Sequence, residues 1–123
     1  MLRWVTPIKN MARTAMEDTE LRGETIRKGE KVLLLYPSAN RDEEVFDDPF
    51  SFDVTRDPND HLAFGGYGAH FCLGASLARL EIRVMFEELL RRTPAMQLVP
   101  DTELPWRNSN FITGIEHMPI ELA

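Results

Sequence analysis

The chain has 123 residues, 43% hydrophobic and 28% charged, with a formal net charge of −6 at pH 7. That length fits one domain at most, the balance is that of a globular protein, and the acidic charge excludes general nucleic-acid binding, which needs a basic footprint. No stretch of eighteen apolar residues occurs, which excludes a membrane-spanning helix, and the single cysteine, Cys72, excludes both an internal disulfide and a four-ligand structural zinc site.

The opening residues lack the long apolar stretch and small-residue cleavage site of a signal peptide, so the expected compartment is a reducing cytoplasm. Leu2, Trp4, Val5 and Ile8 are apolar with no capping residue before them, and Pro7 ends any helix they start. The chain is therefore expected to open in the last turn of a helix, as a fragment of a longer domain would. Residues 19–36 read as β structure, with turn signals at Arg22-Gly23 and Lys28-Gly29. Val32 to Tyr36 is a continuous apolar run, expected to be a strand buried on both faces and stopped by Pro37. Asn40-Arg41-Asp42-Glu43-Glu44 is expected to open a short helix, with Asn40 or Asp42 as its cap. From Asp47 to His61 the sequence is rich in Pro, Asp, Asn and Phe without periodicity. It predicts an ordered, irregular meander whose aromatics are buried, and long coil of that kind tends to be functional.

Leu73 to Arg92 is the strongest predicted helix. Leu77, Leu80 and Val84 continue a stripe from Leu73, widened by Ala75, Ala78, Ile82, Met85 and Leu89. Arg83 with Glu87, Glu87 with Arg91 and Glu88 with Arg92 stand four apart, and Pro94 ends the element. The tail, residues 96–123, predicts short extended pieces broken by Pro100, Pro105, Gly114 and Pro119.

The chemistry gathers in Phe64-Gly65-Gly66-Tyr67-Gly68-Ala69-His70-Phe71-Cys72-Leu73-Gly74. By itself a lone cysteine reads as a buried, inert thiol. Here a glycine-rich loop delivers it to a helix start, where unpaired N–H groups from Leu73 and Gly74 onward and the helix dipole favour thiolate. Gly65, Gly66, Gly68 and Gly74 leave room for a flat ligand to approach the backbone. Phe64 and Phe71 are expected to shield the sulfur, and His70 to serve an anionic group at the ligand's edge. Together these describe a planar, anionic metallo-cofactor ligated axially by cysteine, for which thiolate haem is the known case.

Residues Phe64 to Gly74 resemble the haem-binding signature of the cytochrome P-450 monooxygenases, F-G-x-G-x-H-x-C-x-G, with one extra residue (Gly66-Tyr67 where the common form has one). Similar insertions in actinobacterial members acting on sterols and branched lipids hint at such substrates. Arg3 resembles the arginine of the family's E-x-x-R helix motif, whose glutamate would lie just before Met1, and Arg56 the meander arginine of the same triad. Asn40-Arg41-Asp42 and Leu77-Ala78-Arg79-Leu80-Glu81 match segments of bacterial members.

The resemblance implies an α+β chain: the C-terminal, proximal-haem portion of the mainly helical cytochrome P-450 fold, with a small β-sheet, an irregular meander, the ligand loop 64–74 and the proximal helix 73–92. Residues 1–123 would be one partial domain, about the last third. It implies haem b, with Cys72 as the axial iron ligand, His70 and Arg13 on the propionates, and Phe64, Gly65 and Gly74 in the cofactor-binding loop. The implied activity is O2-dependent hydroxylation of a small lipophilic substrate, with electrons from NAD(P)H through ferredoxin reductase and ferredoxin. Arg79 and Arg83 would form part of the ferredoxin-facing patch, or simply a solvated helix face, and Phe111-Ile112-Thr113-Gly114 would line the substrate pocket, or be an ordinary hairpin. The distal helix that activates oxygen has no counterpart in these residues, so a second expectation is a non-catalytic remnant or weak haem-binding module. A thiol-ligated haem sensor is a third; such sites often carry Cys-Pro, whereas Leu73 follows Cys72.

Overall fold

Helices and small antiparallel sheets alternate along the chain in a computed structural model that describes residues 1–122. The elements are α1 (Leu2–Val5), β1 (Asn10–Thr14), β2 (Thr19–Leu21), β3 (Glu24–Ile26), β4 (Lys31–Leu35), α2 (Tyr36–Ala39), α3 (Ala75–Arg92), β5 (Gln97–Leu98) and β6 (Ile120–Glu121). Each sheet is a two-stranded antiparallel pair: β1 with β4, β2 with β3, and β5 with β6. Two compact units divide the chain, residues 1–63 with 110–112, and residues 64–109 with the tail from Thr113.

In the first unit, α1 ends at Thr6, whose left-handed backbone (φ 43°) turns the chain before Pro7. The β2–β3 hairpin turns through Arg22 and Gly23, both at positive φ, where glycine carries no Cβ penalty. Strand β4 corrects one expectation. It runs Lys31–Leu35 with an alternating exposed and half-buried pattern, and Leu33 and Leu35 are 58% and 52% exposed. Val32 and Leu34 point to one, half-covered face and Lys31, Leu33 and Leu35 to the other, exposed one, so the apolar run is not sandwiched. The short helix is also displaced. Tyr36–Ala39 is helical with Pro37 in its first turn, where a missing N–H costs nothing. Asn40 ends this helix as its C-cap, and residues 42–46 form one helical turn, closed by Phe46 N–H on Asp42 O (2.9 Å), that is not continued.

The interior of this unit is partly polar: Tyr36, Phe46 and Ala63 are buried beside Arg3, Thr6 and Asn40. Buried polar groups need partners, and these have them. Arg3 Nη1 donates to Asn40 O (2.8 Å) and Pro49 O (3.1 Å), while its guanidinium lies 4.8 Å from the Phe46 ring centre. Asn40 Nδ2 donates to Thr6 Oγ1 (2.9 Å), and Thr6 Oγ1 donates to Arg3 O (2.6 Å).

The 47–61 run is irregular, as its composition predicts, and arginines organise its start. Arg56 donates to Asp47 O (2.6 Å) and Asp48 O (3.0 Å), so with Arg3 on Pro49 O three successive carbonyls face guanidinium groups. The expected burial of its aromatics fails: Phe50 and Phe52 are exposed, and Phe52 lies against Trp4 with ring centres 5.4 Å apart.

In the second unit, α3 starts at Ala75, two residues later than expected, with Gly74 as its N-cap. Ala75 is its one buried residue, and Leu77, Leu80, Val84 and Met85 are exposed. The apolar stripe exists but is uncovered among the described residues. Glu88 takes both Arg91 (2.7 Å) and Arg92 (2.8 Å), so Arg91 pairs three residues back instead of with Glu87, which meets Arg83 at 3.8 Å. Thr93 closes the helix through its N–H and its hydroxyl, both donated to Leu89 O. Farther on, Arg107 N–H donates to Gly114 O (2.8 Å) and Glu116 N–H to Pro105 O (2.9 Å), forming a hairpin.

Candidate functional site

The loop before α3 is closed at its base. Cys72 N–H donates to Phe64 O (3.0 Å), and Phe71 N–H donates to Gly68 O (3.1 Å) inside it. Gly65 (φ 84°) and Gly68 (φ 98°) supply the left-handed backbone the turn needs. Gly74 has no such requirement; a Cβ there would stand 4.0 Å from Cys72 Sγ, an ordinary contact.

Cys72 lies two residues before the helix N-cap Gly74, and its carbonyl accepts the N–H of Ala75 (3.1 Å). The N–H groups of Leu73 and Gly74 have no acceptor among the described residues. They remain available beside the thiol, together with the positive end of the α3 dipole. The thiol is exposed, which removes the reading of an inert core cysteine. It also corrects the expected shielding: Phe71 is half exposed and Phe64 is half-buried, so these rings alone do not keep water from the sulfur.

His70 is exposed on the same loop. Arg13 belongs to the other unit, on β1 opposite Val32, exposed, with Nη1 donating to Ala12 O (2.9 Å). Among the described residues no three His, Cys, Asp or Glu side chains converge. A single accessible thiol on a glycine loop fits a metal whose remaining ligands come from a planar macrocycle.

Arg3 and Arg56 are structural in their contacts. Burial, then the like charges of Arg56 and Arg41, hold the Arg3 pKa below its ordinary value. Arg56 Nε is buried without a partner. Arg3 is therefore not stripped of hydrogen bonds, although no carboxylate meets it among the described residues. Residues 110–112 attach to the first unit through Lys9 N–H on Phe111 O (2.8 Å), Asn10 Nδ2 on Asn110 O (2.8 Å) and an Ile8–Ile112 bridge.

Sequence reasoning missed two contributors. Asn40, expected as a helix cap, is fully buried, and its Oδ1 accepts Leu62 N–H at 2.7 Å, just upstream of the loop. Arg41 lies over the Trp4 ring (5.1 Å) and donates to Trp4 O (3.0 Å). Neither contact has a spacing signature; the only signal was that both lie in the Asn-Arg-Asp match.

The chain thus carries a closed cysteine loop at the start of a helix on an α+β frame. The sequence profile of the cytochrome P-450 proteins matches residues 1–113, and the chain belongs to the cytochrome P-450 family. It is 52% identical over 120 residues to the steroid C26-monooxygenase of Mycolicibacterium smegmatis, covering 98% of this chain and 30% of that protein. It is 54% identical over 121 residues to the methyl-branched lipid omega-hydroxylase of Mycobacterium bovis, covering 98% of this chain and 28% of that one. Among solved structures, CYP109E1 from Bacillus megaterium in complex with testosterone superposes with a TM-score of 0.92 at 42% identity, over 98% of this chain and 33% of that one. The chain thus spans about a third or less of the length of these relatives.

Proposed function

We propose that this chain supplies the proximal, haem-ligating part of a haem-thiolate monooxygenase. The observation that carries the reading is the exposed Cys72 thiol at the foot of a loop closed by Cys72 N–H on Phe64 O. Cys72 would be the axial ligand of haem b. The free N–H groups of Leu73 and Gly74 would hold negative charge on the sulfur. His70 would donate to one propionate and Arg13, through its planar fork, to another carboxylate oxygen. Gly65, Gly74 and the Phe64 ring would bound the loop against the macrocycle. Bound haem supplies O2 activation, with thiolate donation favouring O–O cleavage.

The overall reaction of the full assembly would place one oxygen atom in a substrate C–H bond and reduce the other to water. Its two electrons would come from NAD(P)H through ferredoxin reductase and ferredoxin, in the cytoplasm. A lipophilic substrate, sterol or branched lipid, is supported by the activities for which the two relatives above are named. A second reading concerns the 123-residue chain by itself: a weak haem binder without turnover. The exposed stripe of Leu77, Leu80, Val84 and Met85 on α3 favours it, because an uncovered apolar face calls for further polypeptide.

Titration with haem tests ligation directly. The wild-type chain is expected to give the thiolate-type Soret band of its ferrous carbonyl complex, and Cys72→Ala to lose it. A Cys72→Ala chain with an unchanged spectrum overturns cysteine ligation. NADPH-dependent hydroxylation by the 123-residue chain, given redox partners, overturns the second reading.

A further inference from the structure

We infer that Arg79 is a positioning residue for the Cys72 loop, acting through the ring of Phe64. Arg79 stands on α3, and its guanidinium carbon lies 5.0 Å from the centre of the Phe64 ring, within the range of a cation–π contact. Phe64 is also the residue whose carbonyl accepts Cys72 N–H at 3.0 Å. One residue therefore receives two restraints from different directions: its carbonyl is held by the cysteine, and its ring is held by the helix that follows the cysteine.

The helix start completes the circuit. Ala75 N–H bonds Cys72 O (3.1 Å) and Ala78 N–H bonds Gly74 O (2.9 Å), so Arg79 projects from a turn already tied to the thiol-bearing residue. The cation–π contact closes a ring of contacts from Phe64 through Cys72 and the first turns of α3 back to Phe64. Arg83, one turn on, faces Glu87 and is a control on the same helix. Restraint at Phe64 is worth having because the loop around it is mostly exposed and its glycines add backbone freedom. A planar guanidinium suits the task, since it stacks flat on a ring while its edge stays hydrated. The proposal concerns the loop's geometry; its bearing on haem rests on the Cys72 reading above.

The test needs no haem. Amide hydrogen exchange at Cys72 is followed in the 123-residue chain, in Arg79→Ala, Phe64→Leu, the double variant and Arg83→Ala. An exposed cation–π contact corresponds to about a two- to five-fold change in protection. Each of the first two variants is expected to lower Cys72 protection by that factor, the double variant no further, and Arg83→Ala not at all. Unchanged protection in Arg79→Ala, or additive losses in the double variant, overturns the proposal and leaves Arg79 as a surface charge. If a variant loses its helical circular dichroism, the wild-type chain decides instead. The Arg79 side-chain methylenes are expected to shift upfield under the Phe64 ring current, and unshifted methylenes overturn the proposal. Failure of the haem reading is registered separately, by an unchanged haem spectrum in Cys72→Ala.

Discussion

The side-chain oxygen of Asn40 holds the backbone N–H of Leu62 at 2.7 Å, across 22 residues of chain. Leu62 precedes Phe64 by two positions, so the segment leading toward the cysteine loop is fixed before the loop begins. Because Leu62 N–H can only donate, the amide orientation is settled: Oδ1 faces Leu62 and Nδ2 faces Thr6 Oγ1.

Asn40→Ala removes both bonds and leaves Leu62 N–H without its acceptor. The expected cost is about 2 kcal/mol, the penalty for a stranded buried polar group. Asn40→Asp keeps the acceptor and should protect the Leu62 amide far better than alanine does. Denaturant midpoints and exchange at Leu62 check both; equal exchange in the two variants would contradict the assigned bond.

Arg3→Met keeps the apolar stem but strands Asn40 O and Pro49 O. It also relieves the repulsion from Arg41 and Arg56 that lowers the Arg3 pKa. Arg3→Met leaves two carbonyl acceptors without their charged donor, which outweighs the relief of repulsion and desolvation, so the net expectation is a loss of about 2 kcal/mol. A stabilised Arg3→Met chain in urea melts would show that the repulsion wins.

Glu88 gives a pH signature at the end of α3. Hydrogen bonds from Arg91, then Arg92, hold its carboxyl below the ordinary glutamate value. The folded helix therefore binds this proton less readily than the unfolded chain. Its contribution is complete above the ordinary glutamate range and is lost as pH falls through the lowered folded value. Carbon NMR titration of Glu88 should show the lowered midpoint, and Glu88→Gln should flatten that part of the acid profile of helicity. A midpoint at the ordinary value would disprove the pairing.

The uncovered face of α3 predicts association of the 123-residue chain. Leu80→Glu combined with Val84→Lys places an ion pair four residues apart on that face. The expected result in sedimentation is a shift from associated species toward monomer at unchanged helicity. A wild-type chain that sediments as a monomer at high concentration would remove the basis for this prediction.

Local signals carried much of this structure and tertiary ones little of it. Helix α3 was legible to within two residues because its stripe, its terminal arginines and Pro94 all agree. The hairpin at Gly23 was legible from turn chemistry alone. Strand β4 differs from expectation because an apolar run does not say what packs on each face of a strand, and the face of Leu33 and Leu35 is exposed. The helix expected at 40–44 lies at Tyr36–Ala39, since Pro37 can open a helix as readily as end a strand. The glycine context draws attention to Cys72, but the tether from Asn40 to Leu62 joins residues no periodicity connects. Arg13 stays where the sequence left it, an exposed strand arginine whose role depends on a ligand.

The closure of the loop between Phe64 O and Cys72 N–H has a bearing on its unusual length. Gly66 and Tyr67 fall between the positive-φ glycines at 65 and 68, and Tyr67 is fully exposed. Extra chain at that tip bulges into solvent while the sulfur stays at the foot. Length there is set apart from the loop's closed base, so the tip can absorb inserted residues, and Tyr67 is the position at which a spectroscopic label could be grafted without touching the thiol.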